Sequence, residues 1–415
     1  MLTRRDILHA AAALPVSASA AIRSDASNQT GTGRAIVALP DRTAFSHKGV
    51  HLNAAYTHVL PDVAADAGWR HLETRRRDGW REFPVDNDRD AAAAAFAALI
   101  GADPREIAIV PSTNEGENLI AAALDLGPGA GVVTDSFHYS ASLAMYGERH
   151  KLGMPLTVIA PSGGTIDYGA LEAAIVPGTR LVAVTLVSSL TGHTHDLRRV
   201  CEIAHARGAL VFADIIQAAG AMPIDVRSSG VDFCCAGTYK WLMGDFGAAF
   251  LYVRADRLAQ LRRVQLGWRG VKKYQMHALP SQPPGPAGGD WSLATDTAGM
   301  FEVSTPAWGS LTIAVAAMNY ISSIGVDRIA QHRAPLLSRL QDVLPGLGYT
   351  PLTPRNAAGP FVAFEKPGLR ERLQAKLTAA QIAVTLQPDK IRIAPSVHNG
   401  RDDIEQLIEV LSQAA

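Results

Sequence analysis

The stretch "VDFCCAGTYKWLMGDFGAAFLYVR", residues 231–254, reads as an apolar strand, a turn that carries Lys240 between Tyr239 and Trp241, and a second apolar run. A surface lysine needs no such setting. A lysine that must lose its proton and act as a nucleophile does, because burial disfavours the ammonium form.

Upstream the same alternation recurs. "REIAIV" ends in a strand, "NEGENLIAAAL" has helical spacing, and "GVVTDS", "LTVIAP" and "RLVAVTLVSS" are strand-like runs. "DLRRVCEIAHARG" is a helix closed by glycine, and "ALVFADIIQ" is the strand that precedes residue 231. Continuous apolar strands separated by helices predict a mostly parallel sheet buried on both faces, an α/β domain over 61–310. "LPSQPPGPAGGDWS" is rich in Pro and Gly and reads as a long loop. "WGSLTIAVAAMNYISSIG" follows as a long helix, and "GPFVAFE", "KIRIAPS" and "DDIEQLIEVLSQA" alternate strand and helix in a smaller C-terminal domain over 311–415. No internal repeat is visible.

Composition narrows the function. The chain has 415 residues, 47% of them hydrophobic and 19% charged, with 39 basic and 39 acidic side chains. That balance fits a globular enzyme of two unequal lobes and offers no basic excess for nucleic acid or an anionic membrane. Cys201, Cys234 and Cys235 make neither a disulfide framework nor a metal site. The N-terminus differs from the rest. Arg4 and Arg5, an alanine-rich stretch and Ala18-Ser19-Ala20 form a twin-arginine (Tat) export signal over 1–20, then a polar linker over 21–34. The expectation is a periplasmic protein, or a cytoplasmic one if the arginine pair has no such role. Residues 35–60 read as a segment that packs on the small lobe.

In such sheets ligands bind beyond the C-terminal strand ends, and four features fall there. Ser112, Thr113 and Asn114 leave a strand and open a helix, a setting for a phosphate or for a plain N-cap. Asp214 ends an apolar strand, where a carboxylate needs a partner such as a protonated ring nitrogen, or caps the next helix; Gln217 follows three residues on. Lys240 comes one strand later, as a nucleophile or as a snorkelling surface residue. His138, in "DSFHYSAS", is placed to stack on a planar ring or to sit in an exposed loop. Together they supply a phosphate cradle, a stacking ring, a carboxylate for a pyridine nitrogen and a Schiff-base lysine, the requirements of pyridoxal 5'-phosphate.

The ordered set "STNEGENL … DSFHYS … VSSLTG … DIIQ … GTYKWL … FEVSTPAW … RIAPSVHNGRDDIEQLIEVL" resembles the class V aminotransferases of PLP fold type I, with their cysteine-desulfurase-like and isopenicillin-N-epimerase-like branches. The resemblance implies a seven-stranded, mostly parallel sheet in the large domain and an α+β small domain. It implies that Lys240 forms the Schiff base, Asp214 pairs with the pyridine nitrogen, Gln217 meets the phenolic oxygen and His138 stacks on the ring. Thr113 and Asn114, helped by Thr238 and Tyr239, would bind the phosphate. Thr305 would reach the phosphate of a neighbouring subunit, which implies a homodimer with shared sites. Arg392 would clamp the substrate carboxylate, and Asn53 would border the substrate. No metal is implied.

Departures qualify the resemblance. The region "AVTLQPDKIR" holds no cysteine where desulfurases carry their nucleophile, which argues against persulfide chemistry. Ser189 replaces a common asparagine, and Met300 a basic residue. The implied substrate is a small molecule with an amino group, an amino acid or a peptide- or siderophore-linked derivative. Transamination is the first expectation, with epimerisation or β-elimination as alternatives and a catalytically silent PLP-fold protein as a different class. "GPGAG" at 127–131 precedes a strand instead of following one, so a dinucleotide site is not read there. His193 and His195 lack a third ligand for zinc, and no G-x-S-x-G elbow occurs.

Overall fold

The computed structural model describes residues 37–79, 85–276, 279–281 and 289–413. The export signal and its linker lie outside these residues. In chain order the elements are β1 (Val50–His51), α1 (Asp62–Asp78), α2 (Val85–Ile100), β2 (Ile107–Val110), α3 (Thr113–Ala123), β3 (Gly131–Asp135) and α4 (Ser140–Lys151). Then come β4 (Leu156–Ile159), α5 (Tyr168–Ala174), β5 (Thr179–Thr185), α6 (Leu197–Ala206), β6 (Leu210–Asp214), α7 (Val226–Ser229), β7 (Phe233–Gly237) and β8 (Ala249–Val253).

The large domain is built on a seven-stranded sheet in the order β2-β8-β7-β6-β5-β3-β4. Only β8 opposes the others, pairing antiparallel with both β2 and β7. Every residue of β2, β3, β6, β7 and β8 is buried, which is why these strands read as unbroken apolar runs. Side-chain caps set where the helices begin: Ser112 accepts the Glu115 N–H, and Asp196 accepts that of Arg199. Phe96 of α2 stacks on Phe250 of β8 with centroids 4.6 Å apart, tying helix layer to sheet. One glycine is fixed by packing. A Cβ on Gly116 would lie 2.6 Å from Cys235 Sγ, so α3 rests directly on β7 and its first turn stands over that strand's end.

Beyond the sheet lie β9 (Val271–Met276), β10 (Gly289–Leu293), α8 (Thr297–Phe301), α9 (Trp308–Ile324) and α10 (Val326–Val343). The Pro/Gly-rich stretch expected to be a loop ends in β10, which pairs antiparallel with β9. Trp291 and Leu293 supply the strand character that the prolines obscure. Leu311, Ala314 and Met318 of α9 belong to the main core, so the helix at which the sequence places the domain boundary packs with the large domain. The chain closes with β11 (Thr350–Pro351), β12 (Val362–Glu365), α11 (Leu369–Ala379), β13 (Ile382–Ala383), β14 (Thr385–Leu386), β15 (Lys390–Ile393) and α12 (Arg401–Ser412).

The small domain packs α10, α11 and α12 on an antiparallel sheet, β11-β12-β15-β14, around Leu340, Phe364, Leu373, Ile393 and Leu407. The N-terminal segment joins it: β1 pairs in parallel with β13, and Asn53 bridges Ala394. No single helix among the described residues is long and apolar enough to cross a membrane.

Candidate active site

The first turn of α3 and the turn after β7 meet at one sheet edge. Thr113 Oγ1 accepts the Gly237 N–H at 2.8 Å, leaving its own hydroxyl hydrogen to donate elsewhere. Ser112 takes the Glu115 N–H, so Thr113 and Asn114 supply the remaining donors of an N-terminal helix turn. Asn114 Nδ2 also donates to Ser142 Oγ at 3.3 Å. Thr238 is engaged within its own turn. Its hydroxyl lies against the carbonyls of its own turn, Asp245 and Ala248, the latter at 3.0 Å, because that turn must close tightly on β8. Tyr239 stacks on Phe246 with centroids 4.7 Å apart.

Lys240 Nζ lies 5.7 Å from the Tyr239 ring centroid and has no carboxylate within 4 Å among the described residues. Burial lowers its pKa to about 8, against the opposing pull of Asp214 and with help from the charge of Arg392. Asp214 ends β6 between Thr185 and Cys235 and is buried. Its Oδ1 accepts the Ile216 N–H at 2.9 Å and no cation lies within 4 Å of it among the described residues, so burial outweighs the more distant charges of His138 and Lys240 and raises its pKa to about 6. Gln217 donates from Nε2 to Ala55 O and accepts Trp241 Nε1–H at Oε1, both at 2.9 Å. One Nε2 hydrogen remains for a ligand.

Arg392, on β15, is 8% exposed. Nη1 donates to Ser189 O at 2.8 Å and Nη2 to Thr385 Oγ1 at 3.1 Å, while its buried Nε has no partner. The Thr385 hydroxyl passes on to Asn53 Oδ1 at 2.6 Å, so Asn53 reaches the arginine through one relay. Burial lowers the pKa of Arg392 to about 10, which leaves the cation intact at neutral pH, with no carboxylate within 4 Å among the described residues. His138 is buried behind the same edge, its Nε2 2.9 Å from Glu117 Oε1. Thr305 is exposed, in the segment after α8.

Four further residues hold this site. Trp241 fixes Gln217, and the buried Arg333 lies over its ring at 5.3 Å. Thr385 orients Arg392. Glu117 was legible in one respect, since it stands four residues after Thr113 and so on the same face of α3. The two loop histidines serve the fold: His195 Nε2 meets Asp135 Oδ2 at 3.1 Å, and His193 packs on it edge to face.

Among the described residues, a buried carboxylate in contact with no cation, a half-buried amine of lowered pKa and a buried arginine in contact with no anion lie together beside a helix N-terminus. Each lacks the partner that pyridoxal 5'-phosphate and an amino acid would bring: a pyridinium N–H, an aldehyde carbon, a phosphate and an α-carboxylate. The residues therefore fit that cofactor, and fold and site together define a PLP-dependent enzyme of fold type I. The class-V aminotransferase family model matches residues 86–412, and the chain belongs to that family, whose members carry PLP.

Over 317 residues the chain is 28% identical to an uncharacterized aminotransferase, YcbU, of Bacillus subtilis, covering 76% of this chain and 81% of that one. It is 26% identical over 395 residues to a probable cysteine desulfurase of Halobacterium salinarum, covering 88% and 91%. Among solved structures, cysteine desulfurase from Thermococcus onnurineus superposes with a TM-score of 0.77 at 24% identity, covering 88% and 94%. A C-DES lysine variant with glycine covalently linked to its PLP cofactor gives 0.77 at 21%, covering 90% and 99%. At these identities the structural likeness speaks for the fold alone.

Proposed function

We propose that the protein catalyses amino-group transfer at the α-carbon of an amino acid or an amino-acid-derived substrate. The observation that carries this reading is the convergence of the half-buried Lys240 with the buried Asp214 and Arg392, three ionisable groups of which none neutralises another by contact. Arg392 receives the substrate carboxylate on a preorganised fork and fixes which bond at Cα faces Lys240. Asp214 holds a proton at the ring nitrogen placed against it. Bound pyridoxal phosphate supplies an electron sink for charge developing at the substrate carbon. Lys240 Nζ, its pKa lowered to about 8 by burial, would take the proton from Cα and give it up on the cofactor side instead of back to Cα, the difference between amino-group transfer and simple exchange. Thr113 and Asn114 anchor the phosphate from the positive end of α3.

The chemistry of the cysteines separates this reading from that of the desulfurase relatives. All three are buried, and burial pushes the Cys201 thiol up to about 12 and the other two further. No thiolate stands near Arg392, so sulfur transfer to the enzyme's own cysteine is disfavoured. β-Elimination needs no enzyme thiol and is the second reading, supported by the desulfurase names of the relatives. Incubation of the holoenzyme with amino acids in heavy water separates the outcomes. Keto acid from the donor with its β-substituent retained and no free ammonia supports transamination. Deuterium at Cα with the amine retained, or ammonia and a thiol released together, would replace it by epimerisation or elimination. No turnover of any amino compound would leave a silent binding protein.

A homodimer belongs to the same proposal. Tyr56, Tyr139 and Phe246 are exposed aromatics around Tyr239, and Thr305 is exposed as well. A second copy covering this rim would bury the aromatics and bring Thr305 to the partner's phosphate site. Light scattering should give about twice the 44.0 kDa chain mass; a monomer at micromolar concentration would contradict it.

A further inference from the structure

Behind His138 lies a buried polar cluster that the reaction scheme does not use. Glu117, on the inner face of α3, is 1% exposed and accepts three hydrogen bonds. His138 Nε2 reaches its Oε1 at 2.9 Å, Tyr146 OH reaches the same oxygen at 2.8 Å, and the Ser142 hydroxyl meets Oε2. A carboxylate that only accepts, from three donors at once, is held ionised. Nε2 of His138 must then carry a proton. The other ring nitrogen, Nδ1, is buried without any partner among the described residues.

We propose that Glu117 is a positioning residue for His138: it fixes the ring plane, dictates that Nε2 is protonated and keeps the ring a cation at neutral pH, with Nδ1–H presented to the bound cofactor. The proposal rests on the reading of His138 as the residue that lies over that cofactor. The groups that face His138 all have the required sign. Glu117 comes from α3, Asp214 from the end of β6 and Asp135 from the end of β3, while Tyr146 on α4 is neutral. Burial pulls the pKa of His138 down, but the charge and hydrogen bond of Glu117 outweigh it and leave it raised. Glu117 is correspondingly lowered against its own burial, by His138 first. Beside bound PLP, an imidazolium of this kind would disfavour a second positive charge at Lys240 and so would lower the pH at which the cofactor's visible absorption titrates.

The test uses 15N-histidine-labelled full-length protein, with and without added PLP, the His138 signal being assigned by its loss in His138→Gln. In the wild type at pH 7 both ring nitrogens should carry protons. In Glu117→Gln, which keeps the shape and removes the charge, the ring should titrate at least about one pH unit lower. In the holo form of that variant the visible absorption should titrate at higher pH than in the wild type. A bare ring nitrogen on wild-type His138 at pH 7, or an unchanged His138 titration in Glu117→Gln, would overturn the proposal. So would absorption that titrates at the same or a lower pH. The wild-type signal reports even if the variant fails to fold. A protein that binds no PLP would defeat the cofactor reading while leaving the state of His138 measured.

Discussion

Lys240→Ala should lower turnover by about a thousandfold or more, the scale associated with losing a positioned proton-transfer group. The variant should still bind PLP through Thr113, Asn114 and Asp214, but dialysis should remove it. The lowered pKa of the wild-type lysine adds a pH signature. With Nζ near 8, apo protein should react with added PLP about tenfold faster for each pH unit gained below 8, then level off. An unperturbed lysine would keep accelerating up to about pH 10.4. Turnover in Lys240→Ala within tenfold of the wild type would contradict the role given to this residue.

Arg392→Ala should cost about 10- to 150-fold in kcat/KM for amino acids, most of it in KM. The figure follows from losing charge-assisted hydrogen bonds worth about 1.5–3 kcal/mol. The loss should be specific to carboxylate-bearing substrates. A simple amine of the same side chain never used the fork and should change little, so the preference between the two narrows. Arg392→Lys should recover only part of the loss, because a lysine cannot serve Ser189 O, Thr385 Oγ1 and a carboxylate in one plane. If both classes of substrate declined equally, the arginine would be holding β15 in place instead of reading the substrate.

Much of this site is legible in the amino-acid sequence. Asp214 stands out because it closes a run that is otherwise apolar, and Lys240 because it sits in the turn between two such runs; a sheet buried on both faces exposes only its strand ends. The cap at Ser112 is equally local, since a hydroxyl that leaves a strand and opens a helix is a common N-cap, one of the two uses read there. What escaped the sequence depends on distant partners. Thr238 sits beside the lysine in sequence, yet its hydroxyl is held by carbonyls of the closing turn, a matter of backbone geometry. Thr385 reaches Arg392 only because β14 pairs with β15 in a register that sets the two opposite each other. Glu117 meets Ser142 and Tyr146 only when α3 and α4 pack together. The β9–β10 hairpin was hidden by prolines and glycines, which mark turns locally and say little about the strand that follows.

The central claim is that Lys240 is the residue covalently bonded to the cofactor. Reduction of the PLP-loaded wild type with borohydride, followed by digestion and mass spectrometry, tests it most directly. One phosphopyridoxyl group per chain is expected, on the peptide that carries Lys240, and none on Lys240→Ala. The same mass on another lysine, or no fixed label in protein that has bound the cofactor, would contradict it.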